Sequence, residues 1–172
     1  MKIGKITYYL GRMMFVGAAI MFVPVLVALI YGDGCVPAFL IPSAVVALLA
    51  FAAVTVFKKQ ASSLNSREGM ALAALTWIIL SVFGALPSMI CGAVPSFTDA
   101  FFDTVSGYTT TGATVLKSMD VLPKSILFWR SFTHWVGGLG ILAFAIAVLP
   151  QTKTKTGDGG ASEAFAIRAE SP

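Results

Sequence analysis

The sequence predicts an all-α integral membrane protein with four transmembrane helices, one re-entrant half-helix and the loop that follows it. Hydrophobic residues make up 57% of the 172 residues and charged residues 12%, with a mean hydropathy of +0.85, unlike soluble globular domains. Residues 13–32, 34–57 and 69–98 carry no charged side chain, and each run is long enough to cross the ~30 Å hydrocarbon core of a bilayer. A polar stretch, Ser106 to Thr114, interrupts this pattern.

Residues 1–65 are predicted to form two transmembrane helices. The first extends from about Tyr8 to Tyr31, with a kink at Pro24, and the second from about Pro37 to Phe57. Gly32-Asp33-Gly34 forms the turn between them. A cleaved signal peptide is the alternative for the N-terminus, but the apolar run is too long for one.

Residues 66–150 are predicted to form one membrane–pore–membrane unit. It comprises a span from about Gly69 to Cys91, a short helix from about Asp99 to Tyr108, a loop, and a last span from about Ile126 to Leu149. Either Asn65 or Ser66 is expected to cap the first of these spans. Residues 151–172 are expected to be a cytoplasmic linker.

The short helix and its loop have the composition of a re-entrant segment. About ten residues cover roughly half of the hydrocarbon core, and the Thr/Gly run that follows, loop 109–114, is too polar to continue a span. Irregular backbone at membrane depth must be buried by protein or line a water-filled cavity. Carbonyl groups along such a cavity can replace the hydration shell of a cation, which predicts one part of an ion selectivity filter.

Positive charges are distributed asymmetrically around the predicted spans, which predicts that both termini are cytoplasmic and that the half-helix enters from outside. The connections on the outer side carry only Lys117 and Lys124. The other basic residues near span ends fall on the cytoplasmic side: Lys2, Lys5, Arg12, Lys58, Lys59, Arg67, Lys153 and Lys155.

The net charge of +4 does not indicate a nucleic-acid partner, because these positions determine topology and form no binding patch. Asp99 and Asp103 are near each other in sequence, but no nucleophile or acid–base partner accompanies them, so no enzyme is predicted. His134 is favoured as an interfacial or packing residue over a proton relay. Cys35 and Cys91 are favoured as small packing residues, with a disulfide on the outer side as the alternative.

Two segments resemble a known family. Phe102 to Thr114, which includes Ser-Gly-Tyr-Thr-Thr-Thr-Gly-Ala-Thr, looks like the first filter of the Trk/Ktr/HKT superfamily of potassium uptake proteins. Leu127 to Ser131 and His134 to Ile141, with Trp-Arg-Ser and then Gly-Gly-Leu-Gly, resemble the span that follows it. The two additional spans before this unit resemble the TrkH-type branch.

The resemblance implies potassium translocation, with potassium as the transported ligand and no organic cofactor. It implies ion binding by the backbone carbonyls of Thr110 and Thr111, with Gly112 and Ala113 completing the layer. In plant relatives glycine at the position of Gly112 accompanies potassium selectivity and serine accompanies sodium, so Gly112 favours potassium.

The resemblance also implies that the protein lies in the cell inner membrane and that it has partners. TrkH-type proteins carry four such units around one axis, so this chain is interpreted as an N-terminal portion that needs three more. A TrkA-type cytosolic nucleotide-binding subunit, a homodimer at full length and surrounding membrane lipid are expected. A non-conducting membrane scaffold and a homotetrameric single-unit channel are the alternatives.

Residues outside the loop have two interpretations each. Arg130 either extends its side chain to the interface or pairs with Asp103 or with loop carbonyls and supports the filter from behind. Gly137, Gly138 and Gly140 either allow close helix packing or form a flexible gating point.

Overall fold

The computed structural model describes residues 3–62, 64–116, 119 and 121–148, with the backbone alone for Ser66 and for residues 144–148. The predicted linker, residues 151–172, and the predicted end of the last span at Leu149 lie outside the described residues. The described part is a helical bundle with these elements in chain order: α1 (Ile3–Met21), α2 (Val23–Tyr31), α3 (Val36–Phe57), a 3₁₀ turn (Lys58–Gln60), α4 (Ser66–Ile90), α5 (Phe97–Tyr108) and α6 (Lys124–Val148).

Three helical stretches in the described part are long and apolar enough to cross a membrane: Ile3–Tyr31, Val36–Gln60 and Arg67–Ile90. They coincide with the first three predicted spans, which are thereby confirmed as helices of membrane-spanning length. The fourth predicted span coincides with α6, a helix of 25 residues and therefore about 38 Å long.

The first stretch is broken where the sequence predicts a kink. Proline has no backbone N–H to donate to the preceding turn, and Pro24 is the second residue of α2. Around the break, two hydrogen bonds join residues three apart in sequence. The Phe22 N–H donates to the Ala19 carbonyl at 3.1 Å, and the Phe22 carbonyl accepts the Val25 N–H at 3.2 Å. One span is thus built from α1 and α2.

The N-terminal helices pack on each other and on α6. Met14 and Ala18 of α1 are buried against Val46 and Ala50 of α3. Nearer the other end of the bundle, one buried cluster joins α1, α2, α3 and α6, and its members are Met21, Val25, Cys35, Ala38, Phe39, Ile126 and Trp129. The N-terminal helices α1, α2 and α3 therefore form part of the surface against which α6 packs.

At one end of the bundle a buried ion pair ties α1 to the start of α4. Lys5 Nζ lies 2.6 Å from Glu68 Oε2, and the same oxygen accepts the backbone N–H of Asn65 at 3.2 Å. Asn65 is the N-cap residue of α4, and it is one of the two residues predicted for that position. This arrangement fixes the entry of α4 relative to α1.

At the opposite end, two links hold the turns together. Asp33 accepts hydrogen bonds from the backbone N–H of Cys35 at 3.2 Å and of Ser125, in the first turn of α6, at 2.9 Å. Cys35 and Cys91 form a disulfide with their Cα atoms 5.3 Å apart. The favoured interpretation of the cysteines as unlinked packing residues was therefore wrong, because the α2–α3 and α4–α5 turns, far apart in sequence, meet here.

Candidate functional site

The centre of the candidate site is α5, which is too short to span a bilayer. It has 12 residues, Phe97–Tyr108, or about 18 Å, and begins two residues before the predicted start. The Ser96 side chain accepts the N–H of Asp99 at 3.5 Å, and Asp99 lies in the first turn, where a helix favours a negative charge. The C-terminal, partially negative end of α5 leads directly into the Thr/Gly loop.

The loop turns back on the end of α5 through two unusual backbone conformations. Thr110 has a φ of 57° and Gly112 a φ of 77°. Glycine adopts the left-handed region freely, whereas a β-branched residue such as threonine is disfavoured there by roughly 1–2 kcal/mol. In the described part of the chain, Thr110 is the only non-glycine residue with positive φ. Such strain is found most often at functional sites.

The N–H groups in the first part of the loop, Thr109 to Gly112, donate to carbonyl oxygens of α5. Thr110 N donates to the Gly107 carbonyl at 3.0 Å, and Thr111 N and Gly112 N donate to the Ser106 carbonyl at 3.0 and 3.5 Å. Among the described residues, no donor reaches the carbonyls of Thr110, Thr111, Gly112 or Ala113. Residues 109–115 are also exposed. The loop therefore presents the carbonyl oxygens of Thr110 to Ala113 to a ligand.

Asp103 connects α5, the loop and α6. One carboxylate oxygen lies 2.8 Å from Arg130 Nε, and the other accepts the Thr114 hydroxyl at 2.9 Å. Both side chains are mostly buried, with 6% of Asp103 and 13% of Arg130 exposed. Arg130 therefore pairs with Asp103 in the structure and does not extend to the interface.

The three predicted glycines of α6 lie against the site. A Cβ on Gly137 would collide with the backbone of Tyr108, and one on Gly140 would lie 2.9 Å from the Trp77 ring of α4. A Cβ on Gly138 would be in ordinary contact, 3.8 Å from the Thr110 methyl group. These are the contacts of close helix packing, and the gating role remains a prediction.

An aromatic cluster behind α5 was missed by the sequence reasoning. Tyr108 is 2% exposed and lies edge-on between Trp77 and Trp129, with ring centroids 5.8 and 6.5 Å away. Trp129 donates its indole N–H to the Gly84 carbonyl at 3.0 Å. The spacing of Trp77 and Gly84, two turns apart on α4, was the available signal.

His134 lies beside the loop. Its Nδ1 is 2.8 Å from the Arg130 carbonyl oxygen, and its Nε2 is 4.0 Å from where a Cβ on Gly112 would be. The sequence predicts an interfacial or packing residue and does not specify this position beside the loop. An open cleft of about 400 Å³ adjoins it and is lined by Met119, Leu127, Arg130, Ser131 and His134.

Comparison with known proteins gives one consistent family. Residues 38–164 match the model of the TrkH family, described as cation transport proteins. The chain is 41% identical over 152 residues to the Trk system potassium uptake protein TrkH of Escherichia coli K12 and 37% identical over 151 residues to that of Halomonas elongata. Each alignment covers 87% of this chain and 31% of the relative.

The fold agrees with a solved structure. The crystal structure of the potassium transporter TrkH from Vibrio parahaemolyticus is similar with a TM-score of 0.81 at 35% identity, over 98% of this chain and 36% of that one. The chain thus spans about a third of the length of the relatives it matches. On the family match, the identities and the shared fold, this all-helical membrane protein belongs to the TrkH family of cation transport proteins, which are transporters and not enzymes.

Proposed function

We propose that this chain forms the first of four pore units of a TrkH-type potassium uptake system. The observation that carries the proposal is the set of carbonyls at Thr110 to Ala113, which accept no hydrogen bond from the described residues and follow a half-length helix. Potassium ions are bound by several such carbonyls at once. The names of the relatives, potassium uptake proteins, support potassium as the transported ion.

The electrostatics of the site favour a cation. The negative end of the α5 dipole is directed at the loop, and the nearby Asp103 and Arg130 charges compensate each other. Thr110 and Thr111 supply the main ion-binding carbonyls, with Gly112 and Ala113 beside them. Asp103 and Arg130 hold the loop from behind.

The proposed topology has four spans, α1–α2, α3, α4 and α6, with both termini cytoplasmic and α5 entering from outside. Residues 1–65 form the N-terminal pair, 66–150 the pore unit and 151–172 a cytoplasmic linker. Single cysteines replacing Gly34 and Lys59, in a background without Cys35 and Cys91, test this orientation. An impermeant thiol reagent should label the first in intact cells and not the second; the reverse pattern would refute it.

One unit supplies one quarter of the surroundings of an ion. The proposal therefore includes three further pore units, a homodimer at full length and a TrkA-type cytosolic subunit as partners. Liposomes containing only this 172-residue chain should show no selective potassium flux, because most of the ion's dehydration would be uncompensated. Selective flux from a defined tetramer would instead establish the single-unit channel.

The test of the function is a chimera in which this chain replaces the matching segment of E. coli TrkH, expressed in cells without their own potassium uptake. The chimera should support growth at low potassium and prefer potassium over sodium. Gly112→Ser should weaken that preference, because the substitution restricts the backbone at a φ of 77°.

Gly34→Ser is the matched control, since Gly34 also has a positive φ, 74°, and no atom lies within 4 Å of its Cβ position. Its selectivity should equal that of the unmodified chimera. Equal selectivity of Gly112→Ser and Gly34→Ser would remove Gly112 from the filter. A chimera that reaches the membrane without restoring uptake would favour the non-conducting scaffold.

A further inference from the structure

The two halves of the filter loop are held by different kinds of hydrogen bond. In the first half, the backbone N–H groups of Thr109 to Gly112 donate to carbonyl oxygens of α5. The second half consists of residues 113–116. Within the described part of the chain, no backbone–backbone hydrogen bond involves residues 113–115. The position of the last filter residue, Ala113, therefore depends on contacts made by side chains.

Thr114 supplies two hydrogen bonds to the second half of the loop. Its hydroxyl donates to a carboxylate oxygen of Asp103 at 2.9 Å, and the same hydroxyl oxygen accepts the backbone N–H of Leu116 at 3.2 Å. A hydroxyl group has one hydrogen to donate and two lone pairs, so both bonds can form at once. A carboxylate is a stronger acceptor than a neutral oxygen. Thr114 is exposed, but the Asp103 side chain is only 6% exposed, so water has little access to that carboxylate.

The two partners of Thr114 are fixed by the helices around the loop. Asp103 lies on α5 and is paired with Arg130 of α6 at 2.8 Å. Leu116 packs against a buried cluster of α4, the following turn and α5, whose members are Ala85, Val94 and Ala100. One hydroxyl group therefore links the end of the filter to residues of α4, α5 and α6.

We propose that Thr114 is a positioning residue for the Ala113 carbonyl and thereby determines part of the preference of the filter for potassium over sodium. This inference rests on the proposed function of the loop. The Ala113 carbonyl and the Thr114 N–H belong to one planar peptide group, so a fixed Thr114 restricts the direction of that carbonyl. Thr114 acts through the backbone, and its side chain does not bind the ion.

The direction of one carbonyl matters for the choice between the two ions. The size of the cavity and the number and field strength of its carbonyl dipoles both bear on the preference for potassium over sodium. Without the Thr114 hydroxyl, the Ala113 carbonyl is free to turn away from a potassium ion or to approach the smaller sodium ion. Because several carbonyls share the ion, and water can replace part of the lost hydrogen bond, the preference should fall by about three- to tenfold.

Three substitutions separate the hydroxyl from the shape of the side chain. Thr114→Val removes the hydroxyl and keeps the branched shape, whereas Thr114→Ser keeps the hydroxyl. The matched control is Thr76→Val on α4, because the Thr76 hydroxyl donates to the Leu72 carbonyl of its own helix at 2.7 Å.

The first test needs no transport. Amide hydrogen exchange of Leu116 is followed by NMR in the 172-residue chain in lipid nanodiscs, with nitrogen-15 in leucine. Thr114→Val should make this amide exchange about three- to tenfold faster, because the acceptor of its hydrogen bond is gone. Thr114→Ser and Thr76→Val should leave the rate unchanged. Equal rates in all four chains would overturn the proposal.

The second test measures uptake by the E. coli TrkH chimera described above, with potassium and sodium in competition. The preference is a ratio of two uptake rates, so it does not depend on how much of each variant reaches the membrane. Thr114→Val should lose about three- to tenfold of the preference. Thr114→Ser should retain it, and Thr76→Val should equal the unmodified chimera.

An unchanged preference in Thr114→Val would overturn the proposal, even with faster exchange at Leu116. An equal loss of preference in Thr114→Val and Thr114→Ser would also overturn it, because the hydroxyl would then not be the cause. An unmodified chimera that reaches the membrane without selective uptake would instead refute the proposed function. The inference about selectivity would fall with it, and the exchange rates of Leu116 would separate that result from a failure of the Thr114 hydrogen bonds.

Discussion

Trp129 of α6 donates its indole N–H to the carbonyl oxygen of Gly84 on α4, at 3.0 Å, across the back of the half-helix. The approach depends on the absence of a side chain at Gly84. A Cβ there would lie 2.8 Å from the Thr104 methyl group and 3.3 Å from the Tyr108 ring. Three helices thus meet at one residue, directly behind the candidate filter.

Gly84→Ala should destabilise the chain by about 1–3 kcal/mol, because the added methyl group must push α5 away from α4. The matched control is Gly69→Ala on the same helix, where no atom lies within 4 Å of the Cβ position. That change should be neutral or stabilise by up to about 1 kcal/mol, since alanine is the better helix former. Thermal unfolding in detergent, followed by tryptophan fluorescence, measures both. Equal melting temperatures for the two variants would contradict the packing described here.

Asp103→Asn should be among the most damaging single changes in the pore unit. It leaves the mostly buried Arg130 guanidinium without its counter-charge, at a cost of about 3–5 kcal/mol. Asp99→Asn, on the exposed first turn of the same helix, should cost no more than about 1 kcal/mol. Unfolding midpoints of the two variants provide the comparison.

Arg130→Lys should be tolerated better than Arg130→Ala, because lysine retains a positive charge near Asp103. The double variant Asp103→Asn/Arg130→Gln should recover part of the stability lost in Asp103→Asn. Additive effects of the two single changes would show that the side chains do not interact in the membrane.

Asp33 should make the stability of the bundle depend on pH. Partial burial raises the pKa of its carboxyl group, but hydrogen bonds from Ser125 and Cys35 outweigh that effect and hold the pKa below the usual value. A carboxyl group whose pKa is lowered by folding stabilises the folded state above its unfolded pKa, about 3.9, and loses this contribution as the pH falls further.

Asp33→Asn should therefore lower the unfolding midpoint at pH 7, by the equivalent of about 0.3–1 kcal/mol for a charge at the start of α6. The difference from the unmodified chain should shrink below about pH 4. A difference that stays constant from pH 7 to pH 3 would show that the carboxylate charge contributes nothing.

The disulfide predicts a simple chemical result. Cys35 and Cys91 are the two cysteines of the chain, so unfolding without reductant should expose no thiol to alkylation, and reduction should expose two. Because the bond closes a loop with a sequence separation of 56 residues, its loss should cost up to about 4 kcal/mol. Cys35→Ser and Cys91→Ser should each match the reduced protein. Alkylation of both thiols before reduction would contradict the link.

The helices and the loop of this fold could be predicted from the sequence better than the contacts between them. Uncharged runs and a half-length helix before a Thr/Gly loop depend on local composition, and the bilayer restricts what such segments can form. Which face of α6 meets α5 depends on helix rotation, so composition could not place His134 beside Gly112. The disulfide was only the less favoured alternative, because nothing local indicates that two turns meet. The pair of Asp103 and Arg130 was one of the alternatives that the sequence left open, and the structure shows that pair.

The small number of helices that pack against α5 has a consequence for biosynthesis. In the described part of the chain, the helices that contact α5 are α4 and α6, and Lys124 begins α6 only after the half-helix and loop have been made. Until α6 leaves the ribosome and enters the translocon, the end of α5 lacks one of the two helices that pack against it. Its free backbone groups cannot remain in lipid during that time. In the proposed topology, the nascent half-helix therefore stays at the membrane surface or inside the translocon, and the loop reaches its final position only after α6 has been made.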